Sequence, residues 1–139
     1  MNSSTANDRR HRAFELLARL NPEAPEKVAA NLDSLSDDFA EVVLGFAFAD
    51  VVSRPGLDLR TREMLTVAML MAMGNAPGQL EFHIRAAMNV GVSREEIIEI
   101  LLQAAVYAGV PACMNGITAA KKAFAAHAHG AQDAARCSP

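Results

Sequence analysis

The sequence predicts an all-α protein. Apolar residues recur at helical spacing along most of the 139 residues, and no β-branched segment alternates with polar residues. Glycines, prolines and capping residues stand between the apolar segments, where helices would begin or end. The Asn115-Gly116 pair is common in hairpin turns, but the residues on either side of it do not alternate, so we discount a hairpin there.

Length and charge narrow the possible functions. A chain of 139 residues suits one domain, and 51% of its residues are apolar, which is enough for a sizeable core. A formal net charge of −3 is too small to favour nucleic acid or an anionic membrane as a partner. The longest apolar stretch, residues 67–73, is too short to cross a bilayer, and the first residues lack the apolar run of a signal peptide. We therefore expect a cytoplasmic protein.

The cysteines and histidines do not form a metal-binding pattern. Cys113 and Cys137 have neither metal-ligand spacing nor a C-x-x-C arrangement, and a reducing compartment is the simpler interpretation. His127 and His129 are two residues apart, so they would lie on different faces of a helix. We predict no metal site.

We expect a polar tail and two packing helices in residues 1–35, followed by the main helical domain in residues 36–128. The packing helices are predicted over 9–20 and 25–32. Ser36 is a suitable N-cap for the first helix of the main domain, which would run to residue 52.

The next predicted helix, from Asp58 or Thr61 to Gly74, is apolar nearly all round. A helix of this kind is buried on every side. Because the chain is small, we expect part of that burial to come from a partner subunit.

The following stretch carries the densest helix signals. A helix over 79–90 is closed by Gly91, and Ser93 with Glu96 forms a capping box for another helix. We expect that helix to bury six apolar residues: Ile97, Ile98, Leu101, Leu102, Ala105 and Val106. Residues 109–111 would break it. A last helix is predicted over 112–127, and residues 129–139 are predicted to form a disordered tail.

His83 is the candidate functional residue of the 79–90 helix. It lies three residues after Leu80 and four before Ala87, at the edge of the apolar stripe, where its imidazole would be partly desolvated. Histidine exchanges a proton near neutral pH, which suits it to acid–base catalysis. Spacing alone leaves a second interpretation open, a structural histidine bonded to a carbonyl, and such histidines are the more frequent.

Other polar residues also have two interpretations. Glu63 is three residues from Arg60, so the two share a helix face, yet an acidic residue near a helix N-terminus also simply stabilises the helix dipole. Glu81 and Arg85 have the spacing of an exposed ion pair. Tyr107, which is the one tyrosine, could supply a hydroxyl to a site or be a buried aromatic residue.

Two segments, RPGLDLRTREMLTVAML and LEFHIRAAMNVGVSREEIIEILLQAAVYAGVP, resemble the carboxymuconolactone decarboxylase family. The resemblance covers roughly residues 39–124 and is strongest to the cysteine-free, 4-carboxymuconolactone decarboxylase branch. It implies an alkylhydroperoxidase D-like helical bundle of about six or seven helices with a central helical hairpin. It also implies a homo-oligomer, either a trimer or a hexamer.

The resemblance also assigns site residues. It places the family's conserved histidine at His83 and its acidic residue at Glu63. Arginines that match the family are Arg54, Arg60, Arg62 and Arg85.

The related alkylhydroperoxidase D branch carries the motif C-x-x-C-x-x-x-H. With its histidine at His83, the cysteine positions fall on Ala76 and Gln79. Peroxide reduction by thiols needs a nucleophilic thiolate and a resolving thiol, and both are missing, so thiol peroxidase activity is disfavoured.

The resemblance implies cofactor-independent decarboxylation of a carboxylated lactone such as 4-carboxymuconolactone, giving an enol-lactone and CO2 in aromatic compound degradation. In this reaction His83 would donate a proton or stabilise the oxyanion, and Glu63 would orient His83 or tune its proton affinity. The substrate-binding candidates are Arg60, Arg85, Arg54 and Tyr107, since arginine binds carboxylates well.

Two alternatives stay open. One is a related lyase or isomerase acting on another small carbonyl acid, and the other is a non-catalytic oligomeric binding module. Catalysis is favoured if Glu63 and His83 face one cavity, and the binding module is favoured if they point apart into solvent.

Overall fold

The computed structural model describes the backbone of residues 3–136 and the side chains of residues 7–136. Within these residues the chain forms seven α-helices and one π-helical segment, and it has no β-strand. The predicted all-α class is therefore confirmed. The chain divides into two compact units, Met1–Leu59 and Arg60–Pro139. No helix in the described part of the chain is long and apolar enough to span a bilayer.

The first unit contains three α-helices, α1 (Ser3–Leu20), α2 (Ala24–Asp33) and α3 (Phe39–Leu44), and a π-helical segment (Gly45–Val52). Helix α1 begins at Ser3, ahead of the predicted start at residue 9. The core of this unit consists of small and aliphatic side chains: Ala13, Leu16, Leu17, Leu20, Ala24, Ala40, Leu44 and Ala49.

The π-helical segment replaces the second half of the α-helix that the sequence predicted over 36–52. The Arg9 guanidinium lies 2.6 Å from a carboxylate oxygen of Glu41 and 2.6 Å from one of Asp50. These two acids are nine positions apart in the chain, so a regular α-helix with 3.6 residues per turn would place them on opposite faces. The wider π-helical turn changes that rotation and lets both acids reach Arg9.

The second unit contains α4 (Leu59–Met73), α5 (Pro77–Asn89), α6 (Arg94–Ala108) and α7 (Val110–Arg136). Helices α5 and α6 follow each other through a short turn, and both pack on α7. The predicted capping box is present, since Ser93 Oγ accepts a hydrogen bond from the Glu96 backbone and Glu96 accepts one from the Ser93 backbone. Gly91 follows α5 with a φ of 97°, a conformation that favours glycine.

Helix α7 is longer than the sequence predicted. It begins at Val110, directly after Gly109, with Pro111 in its first turn, where a proline costs no hydrogen bond. Residues 129–136, for which the sequence predicted disorder, continue the helix. Their alanine content explains this, because alanine has the highest helix propensity. Residues 137–139, which include Cys137, lie outside the described residues.

The core of the second unit lies between α4, α5, α6 and α7 and includes Val67, Met71, Leu80, Ile84, Ala87, Ile97, Leu101, Ala119, Ala120 and Ala123. Gly116 of α7 is buried at the point where α6 and α4 approach. A Cβ at this position would lie 3.0 Å from Leu101 Cδ2 and 3.1 Å from Met71 Cγ. The absence of a side chain therefore allows α7 to approach both helices.

The predicted burial of α6 was wrong for one face of this helix in the single chain. For α4 we expected a partner subunit to supply part of the burial, and that expectation stays a prediction. Three side chains of α6 that we expected in the core are exposed: Ile98, Leu102 and Val106. Three side chains of α4 are also exposed: Leu65, Met69 and Met73. Each set follows i, i+4, i+8 spacing and lies on one helix face, because the other helices of the chain cover only the opposite face. We call these two sets the α4 stripe and the α6 stripe.

Candidate active site

A buried carboxylate and a half-buried histidine meet in the second unit. Glu63 lies near the start of α4 and is only 2% exposed. His83 lies in the middle of α5, where Leu80, Ile84 and Ala87 hold the helix against the core. The Glu63 Oε2 atom lies 2.8 Å from His83 Nδ1. The two residues that the resemblance singled out are therefore in direct contact.

The contact fixes how the imidazole is oriented. A carboxylate accepts hydrogen bonds and donates none, so beside an ionised Glu63 it is His83 Nδ1–H that donates, and Nε2 is then the nitrogen left for other partners. The His83 side chain is 18% exposed, and the Phe82 ring lies edge-on to it with a centroid distance of 5.0 Å. The ring is thus partly desolvated and restrained, as expected from its place beside the apolar stripe.

Arg60 is held by protein groups. Its Nη2 group donates to Glu96 Oε1, its Nε–H donates to the Gly91 carbonyl at 3.2 Å, and Nη1 lies 3.5 Å from the Met64 sulfur. The pKa of Glu96 lies below its usual value, first because the Ser93 backbone N–H donates to this carboxylate and then because Arg60 does. Arg60, which we expected to bind substrate, is therefore already bound by other groups of the protein.

The other predicted site residues are not brought together with Glu63 and His83 by any hydrogen bond in the described residues. Arg85 is half-buried on α5, two residues from His83, and the expected ion pair with Glu81 does not form in the described part of the chain. Tyr107 is 85% exposed, so the interpretation as a buried aromatic residue is wrong in the single chain. Arg54, in the first unit, is exposed but has an interaction partner.

A cavity of about 390 Å³ opens between the end of α4, the start of α5 and α7. Its lining includes Leu70, Pro77, Glu81, Thr118 and Lys122. His83 and Glu63 do not line it, so this cavity does not decide between catalysis and a binding module. Within the described residues, no three His, Cys, Asp or Glu side chains are arranged to hold a metal ion.

Sequence reasoning missed the role of Glu96 as the partner of Arg60. The capping box predicted that Glu96 is fixed at a helix N-terminus, but Arg60 is 36 positions away in the chain, and nothing in the sequence indicated their contact. A helix-start acid and a helix-start arginine carry no sequence signal for pairing at this separation.

The fold is all-helical, and a carboxylate–histidine pair lies between two of its helices. This combination is typical of enzymes that use a histidine for acid–base catalysis. Comparison with known sequences makes this specific. The sequence model of the carboxymuconolactone decarboxylase family matches residues 37–122, and the chain belongs to this family.

Two relatives are named decarboxylases. The chain is 38% identical over 94 residues to the 4-carboxymuconolactone decarboxylase of Acinetobacter baylyi, which covers 68% of this chain and 69% of the relative. It is 33% identical over 128 residues to the nitrosuccinic acid decarboxylase of Metarhizium robertsii, which covers 88% and 89% of the two chains. An uncharacterised 15.0 kDa protein of Paracoccus denitrificans is 27% identical over 112 residues, or 80% of this chain and 84% of the relative. Family and relatives identify the chain as a carboxy-lyase, as the resemblance predicted.

Proposed function

We propose that this enzyme decarboxylates 4-carboxymuconolactone to an enol-lactone and CO2, as a step in the degradation of aromatic compounds. The contact between Glu63 Oε2 and His83 Nδ1 carries the proposal, because it prepares one imidazole nitrogen for proton transfer. The Acinetobacter baylyi relative, which carries this activity in its name, supports the choice of substrate. The family match over residues 37–122 supports residues 36–128 as the catalytic domain.

The reaction needs an electron acceptor and a proton donor. When the bond between the ring carbon and the carboxylate breaks, CO2 leaves and the electron pair delocalises through the ring to the lactone carbonyl oxygen. A proton then adds to the ring carbon beside that carbonyl. In the proposal His83 Nε2–H donates this proton or hydrogen-bonds to the developing oxyanion, and solvent returns a proton to the imidazole afterwards.

Glu63 has an orienting role in this proposal. As an acceptor at Nδ1 it keeps Nε2 directed away from itself, and it stabilises the positive charge of the protonated ring. Its burial excludes water that would compete for the same hydrogen bond.

Arg85 is our preferred ligand for a substrate carboxylate. Its guanidinium forms no hydrogen bond or ion pair in the described residues, whereas Arg60 is engaged by Glu96. Arg54 and Tyr107 stay candidates on the strength of the family resemblance.

Nitrosuccinate is a second candidate substrate. The Metarhizium robertsii relative aligns with more of this chain, 88%, than does the Acinetobacter baylyi relative. A nitro group can accept the electron pair left by CO2 as a nitronate, so both acids share a carboxylate joined to an internal electron acceptor. Neither requires the protein to supply that acceptor.

We further propose that the enzyme is a homo-oligomer, a trimer or a hexamer, and that it works in the cytoplasm. The exposed α4 and α6 stripes support self-association, because a second copy would remove these side chains from water. A reducing compartment suits the free thiol of Cys113.

The proposal is tested by measuring CO2 release from 4-carboxymuconolactone and from nitrosuccinate. His83→Ala should lower turnover of the true substrate by roughly a hundredfold to ten-thousandfold, which is the usual contribution of a positioned acid. His127→Ala on α7 is the matched control and should retain full activity. Wild-type turnover in His83→Ala would refute the role of this residue. No CO2 from either acid would refute both proposed substrates and favour another small carbonyl acid.

A further inference from the structure

We propose that Arg60 is a positioning residue that keeps Glu63 against His83 by clamping the start of α4 to the end of α5 and the start of α6. This inference rests on the proposed function of the Glu63–His83 pair. It assigns Arg60 a different role from that of a substrate ligand.

The clamp joins three helices through one guanidinium. Arg60 lies three residues before Glu63, so the two side chains project from neighbouring positions on one face of α4. Gly91, whose carbonyl accepts from Arg60 Nε at 3.2 Å, lies in the turn directly after α5, the helix that carries His83. Glu96, which accepts from Arg60 Nη2, lies in the first turn of α6.

The acceptor of the clamp is itself fixed. Glu96 uses one carboxylate oxygen for Arg60 and the other for the Ser93 backbone N–H at 2.8 Å. Its own backbone N–H donates to Ser93 Oγ. The carboxylate therefore cannot follow Arg60 if α4 moves, and the capping box serves as an anchor for the clamp.

The clamp affects the position of Glu63 relative to His83 more than it affects the stability of the fold. The side chains of Arg60 and Glu96 are each 39% exposed, and an ion pair of this exposure adds little to folding free energy. However, the guanidinium donates to Gly91 and to Glu96 at the same time, and these two bonds together restrict the position of α4. A displacement of Glu63 by about 1 Å away from His83 would stretch their 2.8 Å contact beyond hydrogen-bond distance, and errors of that size cost up to about a hundredfold in rate.

A substrate-binding role for Arg60 makes opposite predictions for Glu96. If Arg60 binds the substrate carboxylate, Glu96 competes with the substrate, and Glu96→Gln should lower KM. If Arg60 is a clamp, Glu96→Gln should lower kcat and leave KM nearly unchanged, as should Arg60→Gln. The clamp also predicts that the double variant is no worse than the more severe single variant, because both changes break one unit.

The kinetic experiment compares Arg60→Gln, Glu96→Gln, the double variant and Glu95→Gln on the substrate that the wild-type enzyme decarboxylates. Glu95 is the matched control, since it lies in the same first turn of α6 but makes no contact with Arg60. We expect kcat to fall by about tenfold to a hundredfold in the first three variants and not in Glu95→Gln. A raised KM with unchanged kcat in Arg60→Gln, together with a lowered KM in Glu96→Gln, would overturn the clamp in favour of substrate binding.

A second readout does not depend on activity. In the nuclear magnetic resonance spectrum of the full chain without substrate, the His83 Nδ1 proton should be deshielded and protected from exchange, and His83→Gln identifies the signal by its loss. Arg60→Gln and Glu96→Gln should shift or broaden this signal, whereas Glu95→Gln should not. Circular dichroism confirms that each variant is folded.

The two readouts separate the clamp from the proposed function. If both clamp variants keep the wild-type His83 signal, the clamp is wrong whatever the enzyme decarboxylates. If the wild-type chain releases no CO2 while the signal responds to Arg60 and Glu96, the clamp holds and the proposed substrate is wrong.

Discussion

Glu63 and His83 are 20 residues apart in the chain, yet their side chains meet at 2.8 Å across α4 and α5. Glu63 is the buried charged residue of the described chain, and its hydrogen bond to the imidazole offsets part of the cost of that burial. A buried carboxylate with a histidine partner is costly to retain for stability alone, which is why we attribute it to the reaction.

Glu63→Gln should separate activity from stability. The amide keeps the shape of the side chain and removes the charge that stabilises a protonated His83, so decarboxylation should fall by roughly a hundredfold or more. The free energy of unfolding should change by less than about 1 kcal/mol, since the variant no longer buries a charge. Urea unfolding and CO2 release measured on the same sample check both parts.

Glu81→Gln on α5 is the control for that change, because Glu81 is half-buried without an ion pair in the described residues. It should leave both quantities near their wild-type values. Full activity in Glu63→Gln would show that the carboxylate does not contribute to the reaction.

Gly116→Val should destabilise the second unit. Its Cβ would lie 3.0 Å from Leu101 and 3.1 Å from Met71, and overpacking of this kind costs about 1–3 kcal/mol. Gly130→Val on the same helix is the matched control, since a Cβ there meets nothing within 4 Å. Chemical denaturation should show a lower midpoint for the Gly116 variant alone, and equal midpoints would contradict the tight approach of α7.

Acid should weaken the folded state partly through Glu96. The pKa of Glu96 is lowered from its ordinary value near 4.5, mainly by the Ser93 backbone N–H and then by Arg60. The folded state therefore binds this proton less readily than the unfolded state does. The resulting stabilisation is present above the ordinary pKa and is lost as the pH falls through the lowered pKa.

Glu96→Gln should consequently show a smaller loss of Tm than the wild type when the pH is lowered from 5 towards 3. Thermal unfolding at several pH values measures this slope. Glu95→Gln, which leaves the clamp intact, should follow the wild-type curve, and identical slopes in all three proteins would refute the contribution of Glu96.

Leu102→Glu should weaken self-association. This residue is in the middle of the α6 stripe, and a charge buried in a subunit interface without a partner costs several kcal/mol. Gln103→Glu, next to it on the same helix, places the same charge beside the stripe and should have a much smaller effect. Analytical ultracentrifugation over a range of concentrations distinguishes them, and a wild-type chain that stays monomeric would show that the stripe serves another purpose.

The helices could be read from local sequence. The Ser93–Glu96 capping box and the glycine after α5 predicted the turn between α5 and α6 because these signals involve residues close together in the chain. The position of His83 beside an apolar stripe followed from helical spacing for the same reason. The family resemblance added Glu63 as its partner, and periodicity alone could not have done so.

Tertiary packing determined two features that residue spacing could not predict, namely which helix faces are covered and which distant side chains pair. The sequence showed that α4 and α6 are rich in apolar residues, but only the arrangement of the helices determined which face of each is covered. Tertiary packing also determined that Arg60 pairs with Glu96. It determined as well that a π-helical segment forms where Glu41 and Asp50 both bind Arg9. Local sequence determines helix ends and amphipathic faces because those depend on neighbouring residues, whereas partners from distant segments depend on how whole helices pack.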